Sequence, residues 1–474
     1  MVEKNEELIV KIDAYGSEGE GIGRIDGYAL FVKDAVIGDT VKVKVMKAKK
    51  NYAFARLMEI ITPSKDRIEP PCTLARKCGG CQIQHIDYEK QLEFKHNKVK
   101  NCLEHIGGFK VVEQGTVETD VDAVDNVVVM EPVLGMEDAF YYRNKAQFPV
   151  GTDKDGKVIT GFYAARTHNI IETTSCAIQA KENDEILQIV RDFLTEYKIS
   201  TYDEESHKGL VRHILTRVGY KTKEIMVCLI LNGKKLPHQE ELIARLIKVP
   251  HMTSITINVN TKKTNVILGE ECITLWGQSY ITDYIKDVKF QISPLSFYQV
   301  NPVQTERLYS QALEYADLTG DEVVWDLYCG IGTISLFLAK SAKHVYGVEI
   351  VPQAIEDAKI NATINDIDNA TFLVGAAEEV VEDLYKKKEA RADVVMVDPP
   401  RKGCAQSLLD TIVSMGPKKV VYVSCDPATL ARDLKYLREK GYVTKTARAV
   451  DMFPNSMHVE TVAVLCRAEG SSSK

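Results

Sequence analysis

From Ser293 onward, short apolar runs alternate with helical periods, and four of those runs end in residues that a plain sheet does not require. Val323-Val324-Trp325-Asp326-Leu327 leads into Tyr328-Cys329-Gly330-Ile331-Gly332-Thr333 and a helix from Ile334 to Lys340. His344-Val345-Tyr346-Gly347-Val348 ends in Glu349. Asp393-Val394-Val395-Met396-Val397 ends in Asp398-Pro399-Pro400-Arg401-Lys402-Gly403. Lys419-Val420-Val421-Tyr422-Val423 ends in Ser424-Cys425-Asp426-Pro427, followed by a helix from Ala428 to Lys440. Regular alternation of buried strands and helices predicts a doubly wound, Rossmann-like parallel sheet, an α/β fold. Ligands of such sheets sit beyond the carboxyl ends of the strands, so these four termini converge on one crevice.

The first two termini read as a cofactor site. Glycines after a strand let a ligand approach the backbone, and a carboxylate about twenty positions further on accepts from ribose hydroxyls. Glu349 occupies that position. The loop Gly330-Ile331-Gly332-Thr333 lacks the third glycine of the dinucleotide fingerprint, which favours an adenosyl cofactor without pyrophosphate over a dinucleotide. At the other two termini the prolines after Asp398 stop the strand and stiffen its loop. Cys425 stands where a strand breaks toward the crevice just before a helix, whose N-terminus is expected to favour its thiolate.

Upstream, residues 1–62 alternate apolar and polar positions between glycine turns, the pattern of a small β-barrel resembling an OB fold. Between Lys33 and Arg56 seven basic residues face two acidic ones, with Tyr52 and Phe54 among them, although the whole chain carries a net charge of -7. That local composition suits backbone attraction and base stacking on RNA, and equally an edge strand protected by lysines. Residues 63–290 mix strands with two amphipathic helices, near 184–197 and 239–247, as an α+β central domain; a helix over about 88–107 is expected to pack on the catalytic domain of 291–468. Residues 469–474 read as a polar tail.

No apolar run approaches the roughly eighteen residues of a membrane span, and the first residues are acidic and polar, so a cytoplasmic location without membrane association is expected. Eleven cysteines in a chain without an export pattern argue against a disulfide framework and turn attention to metal. Cys78 and Cys81 flank Gly79-Gly80, Cys72 precedes them, and Cys176 supplies a fourth thiolate for either a four-iron cluster or zinc. The spacing is not the three-then-two arrangement of radical chemistry.

Five motifs carry a family resemblance: Ser293-Pro294-Leu295-Ser296-Phe297-Tyr298-Gln299-Val300-Asn301, the Asp326 to Gly332 loop, Asp398-Pro399-Pro400-Arg401, Ser424-Cys425-Asp426-Pro427 and His458-Val459-Glu460-Thr461-Val462. In that order they resemble the RNA uracil-5 methyltransferases. Cys72, Cys78, Cys81 and Cys176 look like the iron–sulfur ligands of the bacterial 23S ribosomal RNA branch, and residues 1–62 like its TRAM barrel. The resemblance implies S-adenosylmethionine contacts from Gln299, Tyr328, Glu349 and Asp398, a nucleophile at Cys425, a general base at Glu460, and a [4Fe-4S] cluster rather than zinc. It implies methylation of carbon-5 of a uridine in 23S ribosomal RNA, with no obligate protein partner. No cofactor contact is assigned to Thr333, where ribosomal members can carry Asn.

Two other readings stand beside it: a uracil-5 methyltransferase acting on transfer RNA, and an RNA-binding assembly factor without turnover. The second predicts a broken Cys425, Asp398 and Glu460 set, whereas all three are present. Arg143, Lys145, Arg212, His213 and Arg217 are further candidates for RNA contact.

Overall fold

A computed structural model describes residues 2–116, 126–165, 167–386 and 392–468; the tail expected at 469–474 lies outside them. The chain forms two compact units, one of residues 1–98, 162–171 and 453–458, the other of residues 99–161, 172–452 and 459 onward.

In the first unit, strands Glu7–Tyr15, Gly21–Ile25, Tyr28–Val32, Tyr52–Thr62 and Thr40–Ala48 close, in that spatial order, into a barrel. Alternation explains its interior: Val41, Val43 and Val45 point inward beside Val10, Ile12 and Leu30, while Lys42 and Lys44 alternate with them. A side chain at Gly23 would stand 2.4 Å from Val10 Cγ2 and 2.7 Å from Lys11 O, so the wall requires glycine there. The carboxylate of Asp39 is buried at the barrel end, where it accepts from Val36 N (2.7 Å), Ser64 N (2.8 Å) and the Arg67 guanidinium.

Among the described residues the second unit carries a two-stranded sheet, Ile281–Ile285 with Val288–Ile292, and two large sheets. One runs through Val158–Tyr163, Lys145–Thr152, Val211–Val218, Ile225–Leu231, Met252–Val259 and Glu271–Gly277. Helices Glu182–Glu196 and Gln239–Leu246 bury the apolar stripes Ile186, Leu187, Val190, Phe193 and Leu242, Ile243, Leu246. The other sheet has nine strands in the order Ala370–Val374, His344–Glu349, Val323–Leu327, Val394–Val397, Lys419–Ser424, Glu460–Arg467, Tyr442–Val450, Val127–Leu134 and Lys110–Glu113. Its first five strands are parallel, and Glu460–Arg467 runs antiparallel between its two neighbours. Buried on both faces, the parallel strands read as unbroken apolar runs, and Trp325, Leu327, Val395, Val397, Val420 and Tyr422 join one core. The chain order reverses between Val323–Leu327 and Val394–Val397, which opens a crevice at their carboxyl ends. No described helix is long and apolar enough to cross a membrane.

Burial acts to raise the Asp39 carboxyl, yet Arg67 and the two amides hold it below its ordinary 3.8. Its contribution to stability is therefore complete above that value and is lost as pH falls through the lower folded value. Arg67→Met leaves the carboxylate buried without its cation and is expected to cost about 3–5 kcal/mol. Hydrogen exchange across the barrel strands checks both effects; protection unchanged in the variant and at acid pH contradicts them.

Candidate active site

Each strand end delivers its residue by register. Leu327 pairs with Val397, and Val397 with Tyr422, so the loops beginning at Tyr328, Asp398 and Cys425 leave the sheet side by side. Ser424 pairs with Thr461 and Val450 with Glu460, which sets Glu460 at the start of the neighbouring strand, next to Cys425. The sequence-derived residues Tyr328, Glu349 and Asp398 share one cavity of about 450 Å³, walled on its apolar side by Ile334, Val348 and Ile350. Tyr328 holds φ at +85°, a backbone state that bulky residues seldom adopt and that the glycine turn after it sustains. Glu349 is braced from both sides, accepting from Gly330 N at 3.3 Å and Val351 N at 3.0 Å.

Gln299 is not on that cavity wall; it is buried, and its carbonyl accepts from Asn144 Nδ2 at 3.0 Å. Phe297 of the same segment lines the cavity instead. The Ser293–Asn301 segment is pinned along its length. Arg217 Nη2 donates to Ser296 O, Asn144 N to Val300 O at 2.8 Å, and Asn301 caps helix Pro302–Ala316 by accepting from Gln304 N. Thr333, assigned no contact from sequence, also lines the cavity and lies 3.1 Å from the hydroxyl of Tyr309. Tyr309 and Glu378, which no motif includes, and Asp326, which opens the glycine-loop motif without an assigned contact, all face the cavity. The first two sit on helices whose faces no motif marks. Asp326 lies inside an apolar strand, and its lone charge in such a run was the available signal.

The electrostatics are dominated by burial of like charges. Asp326 is pushed up to about 7 by burial; one oxygen accepts from Ser335 Oγ and the other, Oδ1, is buried without a partner. Asp398 and Glu460 are both raised, first by burial and then by a neighbouring carboxylate: Asp326 acts on Asp398, and Asp398 on Glu460. Arg401 opposes the rise at Glu460.

Cys425 is half-buried, and its thiol is pushed up to about 11 by burial and by Glu460 and Asp398, with Arg401 pulling the other way. The sequence expectation of a thiolate favoured by a helix N-terminus is thereby overturned. Asp426 is the N-cap of helix Pro427–Glu439, and its own carboxylate accepts from Ala428 N (2.9 Å) and Thr429 N (3.1 Å), so those amides are taken.

Three expected RNA contacts are also corrected. Arg212, His213 and Arg217 are buried in strand Val211–Val218. Arg212 donates to the carbonyls of Asn260 (3.0 Å) and Lys262 (2.8 Å), and His213 is held to about 4 by burial and by Arg212.

The four cysteines fall in both units. Cys72, Cys78 and Cys81 occupy one loop of the first unit, where Gln84 accepts from Cys72 N (3.1 Å) and Gly80 N donates to Cys78 Sγ (3.3 Å); Cys176 belongs to the second unit. Among the described residues no group of three or more His, Cys, Asp or Glu side chains is placed to hold a metal ion. No described cysteine forms a disulfide.

Glycine loop, strand-end carboxylate and crevice make this sheet a Rossmann-like methyltransferase domain. Residues 127–468 match the family model described as tRNA (uracil-5-)-methyltransferase, and residues 2–58 match the TRAM domain. The chain is 52% identical to an uncharacterized RNA methyltransferase of Clostridium tetani, covering 98% of this chain and 97% of that one. It is 51% identical to one of Halalkalibacterium halodurans, covering 98% of each. Among solved structures it resembles the Pyrococcus abyssi tRNA (uracil-54, C5)-methyltransferase in complex with S-adenosyl-L-homocysteine, with a TM-score of 0.76 and 29% identity over 96% of this chain and 99% of that one. The chain belongs to the tRNA (uracil-5-)-methyltransferase family and is an RNA methyltransferase enzyme.

A protonated resting thiol makes a chemical prediction. Alkylation of Cys425, followed by mass spectrometry of its peptide, is expected to accelerate with pH well beyond the ordinary thiol value of 9.0. Glu460→Gln and Asp398→Asn remove the charges that raise it and shift that profile to lower pH. Profiles that coincide with wild type would refute this electrostatic account.

Proposed function

We propose that the enzyme methylates carbon-5 of a uridine in 23S ribosomal RNA, with Cys425 as covalent nucleophile and Glu460 as general base. The observation that carries this reading is the adjacency of a half-buried thiol and a buried carboxylate of raised pKa, both acted on by Asp398, which lines a cavity suited to S-adenosylmethionine. The cavity chemistry fits that cofactor: Glu349 can accept from ribose hydroxyls, and the unpartnered Oδ1 of Asp326 can accept from a cationic amine. When bound, the cofactor supplies a methyl group activated by a sulfonium. Tyr328, Glu349 and Asp398 are the proposed binding residues of the cavity wall, and Gln299, which lies off that wall, is proposed on the sequence resemblance alone.

Carbon-5 of uracil is a weak nucleophile, so Cys425 adds to carbon-6 and turns the ring into an enolate able to take the methyl group. The thiol must lose its proton first, and Arg401 is the nearby cation that favours the thiolate. After methylation carbon-5 bears both the methyl group and a proton; Glu460 removes that proton, the ring carbon–carbon double bond re-forms, and the carbon–sulfur bond breaks. A carboxylate raised from 4.5 toward neutrality is a stronger base than an ordinary glutamate. A uracil within folded RNA must be flipped from its stack to reach the sulfur.

The TRAM barrel and the cysteine motif support ribosomal RNA. A specific observation favours a second reading, transfer RNA: the solved relative of 29% identity acts on tRNA uracil-54. Mapping 5-methyluridine in ribosomal and transfer RNA from cells with and without the gene decides between them. The proposed [4Fe-4S] cluster on Cys72, Cys78, Cys81 and Cys176, with zinc as the alternative, is supported by sequence resemblance alone. Iron in anaerobically purified protein is the expected result, and stoichiometric zinc or fully active metal-free protein removes the cluster.

Cys425→Ala is expected to lose methylation by at least about a thousandfold and to form no covalent RNA adduct. Glu460→Gln is expected to accumulate that adduct on denaturing gels. Undiminished turnover in Cys425→Ala would refute the nucleophile.

A further inference from the structure

We infer that a cleft of about 200 Å³ beside the middle sheet binds a single-stranded RNA segment next to the target uridine, with Tyr141 and Tyr220 as stacking platforms and Arg143, Lys181 and Lys223 as phosphate contacts. The inference rests on the RNA-methylation reading above and adds the place where the flanking strand is held.

Four observations converge on the cleft. Tyr141 and Tyr220 are 49% and 46% exposed, a costly position for two large rings unless something covers them. Each carries an ammonium above its ring, Lys181 at 4.4 Å from the Tyr141 centroid and Lys223 at 5.1 Å from that of Tyr220, so a base stacked there has a cation within reach of its phosphate. Tyr141 holds φ at +50°, a left-handed state fixed by its amide donating to Ala177 O at 2.9 Å. Two buried polar atoms of cleft-lining residues have no partner: Arg143 Nε, a donor, and Asn144 Oδ1, an acceptor. These atoms lie beneath the cleft surface, so they make its wall polar without themselves touching an occupant.

Charge separates this cleft from the larger groove of about 720 Å³ that shares Tyr220 with it. There Lys221 Nζ meets Glu306 at 3.0 Å and Arg307 Nη2 lies 3.9 Å from Glu137, which leaves Lys286 as the cation of that groove without a carboxylate partner among the described residues. In the smaller cleft, among the described residues, no salt bridge engages Arg143, Lys181 or Lys223, and the single lining carboxylate is Glu182. Position argues the same way. Asn144, at the back of the cleft, is bonded to Gln299 O and Val300 O, in the segment whose Phe297 lines the cofactor cavity. A strand lying in the cleft is therefore adjacent to the segment that leads to the reacting base.

The test uses the full chain and two probes, a fluorescent single-stranded oligouridylate for binding and total RNA lacking 5-methyluridine for methylation. Tyr141→Ala and Tyr220→Ala are each expected to weaken oligouridylate binding about tenfold and to raise KM for RNA while kcat and S-adenosylmethionine affinity stay unchanged. Tyr141→Phe and Tyr220→Phe, which keep the ring, are expected to restore binding. Lys181→Ala and Lys223→Ala should each flatten the dependence of log Kd on log salt by about 0.7. Alanine variants that melt as wild type and bind the probe with wild-type affinity overturn the proposal, and unchanged salt slopes remove its phosphate contacts. If wild-type protein fails to methylate uridine at carbon-5, the proposed function falls, while the binding comparison still decides the cleft.

Discussion

The pairing of Ser424 with Thr461 and of Val450 with Glu460 sets the proposed base beside the proposed nucleophile. An antiparallel strand inserted beside the parallel set brings a carboxylate from late in the chain to the end of the strand that carries Cys425. A slip of one residue would turn Glu460 to the opposite face of the sheet. Both faces are buried and closely packed, so such a slip would misalign side chains against the core on each side. Packing of the core and positioning of the proposed base are thus one constraint.

That crowding has an electrostatic cost. Asp326, Asp398 and Glu460 are taken from water within reach of one another, and each is driven toward its neutral form. Such an arrangement destabilises a fold at rest, and functional sites are where proteins tolerate it. Cations at the edge, chiefly Arg401, set how far the balance tips.

Much of this was legible in the sequence wherever local pattern and chemistry coincide. Apolar runs ending in Glu349, Asp398 and Cys425 predict strands whose ends meet, and the barrel is readable from the alternation through Val41 to Val45. What escaped notice depends on contacts between distant segments. Arg212 and Arg217 look like surface cations on a strand, but their partners are carbonyls near residues 260 and 296, which no spacing reveals. The helix after Cys425 promised a stabilised thiolate, yet Asp426 satisfies the same amides first. Tyr309 gains its place from the packing of its helix rather than from any motif. Strand Val127–Leu134 extends the catalytic sheet by pairing with Tyr442–Val450, and Lys110–Glu113 pairs with it in turn, a partnership between segments about three hundred residues apart.

The cap formed by Asp426 bears on the enzyme's life between encounters with RNA. Oxidants and stray electrophiles attack sulfur mainly as the anion, and a sulfur kept in its acid form by hostile surroundings escapes most of that damage. With those helix amides bonded to Asp426, the proposed nucleophile rests as a thiol whose surroundings disfavour its anion. On the proposed mechanism, resistance to oxidation resides in the same sulfur that must later give up its proton to act.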